Sequence, residues 1–143
     1  YMPELINDAY NVLNTLKKRN YKIGLICNTG RTPGYCLRKI LNKYKILKFF
    51  DALSFSNELL IRKPSPEIFN LTLKKLNASG KNKYAIHIGD NPKTDIVGAK
   101  NSKMKAIYVK NSYARHHINI NSITPIKPDY TITDLREITE ILE

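Results

Sequence analysis

Apolar positions along the chain switch repeatedly between a helical period and short continuous runs. From Pro3 to Arg19, Leu5, Ile6, Ala9, Val12, Leu13 and Leu16 form one stripe, which predicts an amphipathic helix with a proline near its start. Lys22-Ile23-Gly24-Leu25-Ile26-Cys27 reads as a strand. Thr32 then offers an N-cap, with Pro33 at the first helical position and Leu37, Ile40, Leu41 and Tyr44 on one face. Ala52-Leu53-Ser54-Phe55 predicts a short strand. Ser65-Pro66 opens a helix whose inner face is Ile68, Phe69, Thr72, Leu73 and Leu76. The run Tyr84-Ala85-Ile86-His87-Ile88 predicts a buried parallel strand.

A short helix from Ile96 to Ser102, capped by Thr94 or Asp95, leads to the strand Lys105-Ala106-Ile107-Tyr108-Val109. Residues Asn111 to Asp129 read as a polar loop, Tyr130-Thr131-Ile132 as an edge strand, and Leu135, Ile138, Ile141 and Leu142 as a closing helix. Strands and helices that alternate in this way predict an α/β fold, a Rossmann-like three-layer sandwich around a mainly parallel sheet.

Composition narrows the picture little. With 143 residues, 42% hydrophobic and 25% charged, the chain is of single-domain size and ordinary globular make-up. No apolar run approaches a membrane span, and no signal-peptide pattern opens the chain. Cys27 and Cys36 alone can build neither a disulfide framework nor a four-cysteine zinc site, which fits a reducing, cytoplasmic setting. The net charge of +12 would suit nucleic acid, but the lysines are scattered and do not interleave with aromatics. A solvated surface is the expectation, and a nucleic-acid partner is not.

Chemistry gathers at three predicted strand ends: Cys27-Asn28-Thr29-Gly30, Arg62-Lys63-Pro64, and Gly89-Asp90-Asn91-Pro92-Lys93-Thr94-Asp95. In open α/β sheets, ligands bind beyond the carboxyl ends of the strands. Two acids there repel each other unless a cation or a basic group joins them, and Mg²⁺ is a natural oxygen-liganded partner. Lys63 brings a point charge with three donors, and Asn28 with nearby backbone N–H groups could cradle an oxyanion. Donors, a lysine and paired acids at one sheet edge suit a phosphoryl group.

In this order, Cys27-Asn28-Thr29-Gly30-Arg31-Thr32, Arg62-Lys63-Pro64-Ser65-Pro66-Glu67-Ile68-Phe69 and Gly89 to Ala99 resemble the haloacid dehalogenase superfamily. The resemblance covers roughly residues 3–110 and extends to 129–143 as the closing strand and helix. It implies a Mg²⁺-dependent phosphatase-type hydrolase acting on a small phosphorylated substrate. Lys63 would steady the nucleophile and the phosphate, Asp90 would ligate Mg²⁺, and Asp95 would complete the acidic motif. Cys27 stands where the family places Ser or Thr, so Asn28 or Thr29 could supply the phosphate hydrogen bond.

The family's nucleophilic Asp lies on a strand before all of these motifs, and this chain contains no Asp-x-Asp. The expectation is a core domain over residues 1–143 that is incomplete at its N-terminus, lacks its central first strand and is inactive alone. Only 26 residues separate Lys63 from Asp90, which leaves no room for an inserted cap. Plainer readings stay open. Asp90 and Asp95 could be a turn residue and a helix cap, Lys63 a surface lysine, and Cys27 an inert small hydrophobe. His87 reads as a core or interface histidine, and the adjacent His116 and His117 as solvent-facing. The competing function is a noncatalytic binding or scaffold module.

Overall fold

The computed structural model describes residues 2–110 and 125–143. Five short strands and their helices follow one another: α1 (Ala9–Lys18), β1 (Gly24–Cys27), α2 (Gly34–Lys43), β2 (Ala52–Phe55), α3 (Ser56–Leu59), α4 (Pro66–Lys75), β3 (Ile86–Gly89), α5 (Val97–Asn101), β4 (Lys105–Val109), β5 (Tyr130–Ile132) and α6 (Glu137–Ile141). All but the short α3 are elements that the apolar rhythm predicts. Every strand pair is parallel. The strands form two groups, β1–β2 and β3–β4–β5. Among the described residues, β1 and β3 are therefore each paired along one edge only.

The layers follow from the two-residue alternation of strand side chains. On β4, Ala106 joins a cluster with Ile68, Phe69, Leu73, Ile96, Ala99 and Met104 of the α4–α5 side. Its neighbour Ile107 faces the other way, into Val12, Leu16, Ile132 and Ile138 of the α1–α6 side. Helices thus cover both faces of this sheet, as parallel strands require. Phe69 is 1% exposed, and burying a side chain of that size contributes about 2–3 kcal/mol. No helix among the described residues is long and apolar enough to cross a membrane.

Local differences from the sequence expectation have physical causes. The first helix begins at Ala9, because Asp8 takes a left-handed φ of 64° and breaks the stripe. Aspartate tolerates that conformation better than most residues. Pro3, Glu4 and Leu5 run outside the helix and line a cavity instead. In α2 the cap position falls on the extended Pro33 rather than on Thr32, and the Gly34 N–H donates to Asn57 Oδ1 at 3.2 Å. The strand expected from Tyr84 starts at Ile86, because Asn82–Tyr84 form a 3₁₀ turn. His116 and His117, with most of the expected 111–129 loop, lie outside the described residues.

Candidate active site

The carboxyl ends of β1 and β3 are joined by a line of polar contacts. At the end of β1, the Asn28 side chain binds the Lys63 backbone twice: Lys63 N donates to Oδ1 at 2.8 Å, and Nδ2 donates to Lys63 O at 2.9 Å. The amide thereby fixes the segment that carries the lysine. Lys63 Nζ then donates to Asp95 Oδ1 at 2.6 Å. The same oxygen lies 2.8 Å from His87 Nε2 on β3, while Asp95 Oδ2 accepts from Asn91 N at 3.1 Å.

Burial would by itself raise the Asp95 pKa. The His87 hydrogen bond and the Lys63 charge outweigh it and bring the value down to about 2. Asp95 is therefore ionised near neutral pH and can only accept, so His87 Nε2 carries a hydrogen.

Two features of β3 and its turn make this geometry possible. Gly89 is needed for close approach, since a Cβ there would lie 2.1 Å from Asp95 Cγ. A left-handed turn is not the reason for the glycine, because its φ is not positive. The helix cap following β3 is Asn91, whose Oδ1 accepts from Lys93 N and Thr94 N at 3.0 and 3.3 Å. Thr94 and Asp95, the expected caps, do not serve. Asp95 is thereby free to turn inward, where it is 4% exposed.

Asp90, five residues earlier, is the opposite case. It is exposed, and its carboxylate has no hydrogen-bond or ion-pair partner among the described residues. Asp90, Asp95, Lys63, Asn28 and Cys27 line one cavity of about 510 Å³, closed on its apolar side by Leu25 and the Leu37, Ile40 and Leu41 face of α2. Burial raises the Cys27 thiol above its usual value, and the Lys63 charge offsets this only in part. The residue stays a neutral, weak donor.

Thr29 is tied elsewhere. Its N–H donates to Ser56 Oγ at 2.9 Å, its hydroxyl lies 3.0 Å from the same oxygen, and it accepts from Asn57 N at 2.9 Å. The structure thus brings Lys63, Asp90, Asp95, Cys27 and Asn28 to one pocket and binds Thr29 to the start of α3. His87, which the sequence reads as a core or interface residue, does not line the cavity but contacts Asp95. The available signal was its place two residues before Gly89, on the same face of β3.

The metal that such a site suggests can be tested against the donors. No group of three or more His, Cys, Asp or Glu able to hold a metal occurs among the described residues. The free Asp90 carboxylate fits a hard divalent cation in kind. A Mg²⁺ ion commonly uses one or two carboxylates together with water and substrate phosphate.

Comparisons with known proteins bear on the family and the fold. The family model for haloacid dehalogenase-like hydrolases matches residues 1–109. The glyceraldehyde 3-phosphate phosphatase of Pyrococcus furiosus is 35% identical over 136 residues, 94% of this chain and 53% of that protein. The pyrophosphatase PpaX of Bacillus mycoides is 29% identical over 134 residues, 94% of this chain and 58% of its own. The crystal structure of a phosphatase of this family from Thermococcus onnurineus superposes with a TM-score of 0.79 at 27% identity, covering 97% of this chain and 58% of that one. The chain spans a little over half the length of each of these three relatives. With a parallel α/β layering and a family match over most of its length, this chain belongs to the haloacid dehalogenase-like hydrolases.

Proposed function

We propose that these residues form the greater part of a Mg²⁺-dependent phosphomonoester hydrolase, cytoplasmic in setting, whose nucleophilic aspartate comes from a strand outside residues 1–143. The observation that carries this reading is the pairing of Lys63 with Asp95 at 2.6 Å beside the free Asp90 carboxylate in a shared cavity. The free edges of β1 and β3 support the position of the strand, since an extended segment seated there would bring its carboxyl end to that cavity.

Each residue then has a task. Lys63 offsets negative charge on the phosphoryl group and the attacking carboxylate. Asp95 holds Lys63 in place, and Asn28 holds the backbone beneath it. Cys27 contributes a weak hydrogen bond and shape at the phosphate end. Thr29 acts through the loop, by fastening it to Ser56 and Asn57. Asp90 would hold the metal, which when bound supplies positive charge to the transferring phosphoryl group. The upstream aspartate attacks phosphorus as the ester P–O bond breaks and the leaving oxygen departs as the alcohol, taking a proton from solvent; water then hydrolyses the aspartyl-phosphate, returning the carboxylate and releasing inorganic phosphate and a proton. A small phosphorylated molecule is the substrate class.

The test is phosphate release from p-nitrophenyl phosphate, with and without Mg²⁺, by residues 1–143 and by the full gene product. The expected result is Mg²⁺-supported turnover by the full product and none by residues 1–143. Turnover by residues 1–143 would remove the external nucleophile from the proposal. No turnover by either would favour the noncatalytic binding module.

A further inference from the structure

His87 is a half-buried titratable group that the proposed chemistry leaves unused. It lies mid-strand on β3, between Ile86 and Ile88, which pack with the α1–α6 side. Alternation turns its imidazole to the opposite face, where it meets the Phe69 ring edge-on at 5.0 Å and 81°. A histidine kept only for packing would satisfy its ring nitrogens wherever a backbone group lay at hand. Here Nε2 instead donates to Asp95 Oδ1, the oxygen that already accepts from Lys63 Nζ. The side chain of His87 is 12% exposed, as is that of Lys63, against 5% for Asp95.

Two donors at 2.6 and 2.8 Å occupy both lone pairs of Oδ1. The remaining oxygen, Oδ2, takes the Asn91 N–H and so anchors the turn that begins at Asp90. With only the lysine on Oδ1 and one backbone N–H on Oδ2, the carboxylate would be less narrowly fixed, because the terminal torsion of aspartate is broad and roughly two-fold. A flexible lysine would follow any such rotation. The imidazole is stiff, wedged against Phe69, and projects from a paired strand. Gly89, two residues along the same face, leaves the space into which the carboxylate fits.

We infer that His87 is a positioning residue: by sharing Asp95 Oδ1 with Lys63, it sets the angle at which the ammonium faces the cavity and steadies the turn that carries Asp90. This rests on reading the cavity as a phosphoryl-transfer site. His87 itself touches neither substrate nor metal. Positional errors of this kind lower the rate of the chemical step more than they weaken substrate binding.

The experiment compares His87→Phe, which keeps the ring against Phe69 but has no N–H, with His87→Gln, whose amide nitrogen can reach the Nε2 position. In the full gene product with Mg²⁺, His87→Phe should lower kcat by about tenfold or more with KM within about threefold, and His87→Gln should recover most of the loss. Equal effects of the two substitutions would overturn the inference. A second readout needs no activity: a double-mutant cycle of His87→Phe with Asp95→Ala, followed by urea unfolding. The unfolding constant of the double variant should depart from the product of the single effects by about fivefold or more. Additive effects would overturn the inference.

If the wild-type protein releases no phosphate, the proposed function falls, and the cycle still decides whether His87 and Asp95 are coupled. If His87→Phe does not fold, imidazole ¹⁵N shifts of the wild type decide. An Nε2-protonated ring supports the inference, and an Nδ1-protonated ring overturns it.

Discussion

Asp90 and Asp95 close the same turn and carry the same chemical group, yet their surroundings differ in every respect. Asp95 is buried, receives three donors and has its pKa pulled to about 2. Asp90 is exposed and without a partner among the described residues. The two acids could have relieved their mutual repulsion through one shared cation. Instead, Asp95 is paired from within with the Lys63 ammonium and hydrogen-bonded by His87, while the Asp90 carboxylate keeps no partner among the described residues. One carboxylate builds the site, and the other is exposed to whatever enters it.

The sharpest way to break this comparison is to exchange the behaviour of the two acids. Asp90→Asn in the full gene product should lower Mg²⁺-supported turnover by roughly a thousandfold, about 4 kcal/mol of barrier. Its stability should change by less than about 0.5 kcal/mol, as for an exposed, unpaired group. Retained turnover would remove Asp90 from the metal role. Asp95→Asn should instead destabilise the fold by about 2–3 kcal/mol in urea titrations, because Lys63 loses its partner charge in a buried setting.

The acid limb of stability sharpens the same point. Asp95 has a folded pKa of about 2, below the roughly 3.9 expected of an unfolded aspartate. Its contribution is therefore complete above about pH 4 and is lost as pH falls towards 2. Unfolding of the wild type between those limits should show that loss, and Asp95→Asn should flatten it. A variant with the same acid slope as the wild type would mean that Asp95 is not the group responsible.

Gly89→Ala should cost about 1–3 kcal/mol, since the new methyl would meet an aspartate held by three donors. The smallest effect is expected at Cys27. Replacing it with Ser exchanges a weak donor for a stronger one in the cavity lining, and on the proposed function turnover should rise by about two- to fivefold. A loss in that variant would indicate that the thiol serves by packing alone.

Much of this was legible in the chain. Period-two and period-3.6 patterns depend on which faces an element buries, so they mark strands and helices wherever one stripe meets the core. Ile68, Phe69 and Leu73 on α4, and Ala106 and Ile107 on β4, were readable for that reason. The Lys63–Asp90–Asp95 constellation was readable because each acid or lysine sits in a short local motif, although Lys63 lies in the connection between α3 and α4 and not at the expected strand end. The N-terminal helix was overextended because a stripe alone does not reveal a left-handed Asp8. The caps of α2 and of the turn after β3 were misassigned because Asn57 and Asn91 outcompete Thr32, Thr94 and Asp95 for the free N–H groups.

The amino-acid sequence by itself determined the alternating α/β order, the family and the set of groups available for chemistry, because burial periodicity and motif spacing are short-range properties. Only the tertiary structure decided which acid is locked and which is free. That depended on His87 and Gly89 of one strand and on Lys63, held from a different strand end by Asn28, meeting in space. Contacts between distant segments leave no periodic trace in the chain, and a carboxylate's charge state follows from the donors that surround it in the fold.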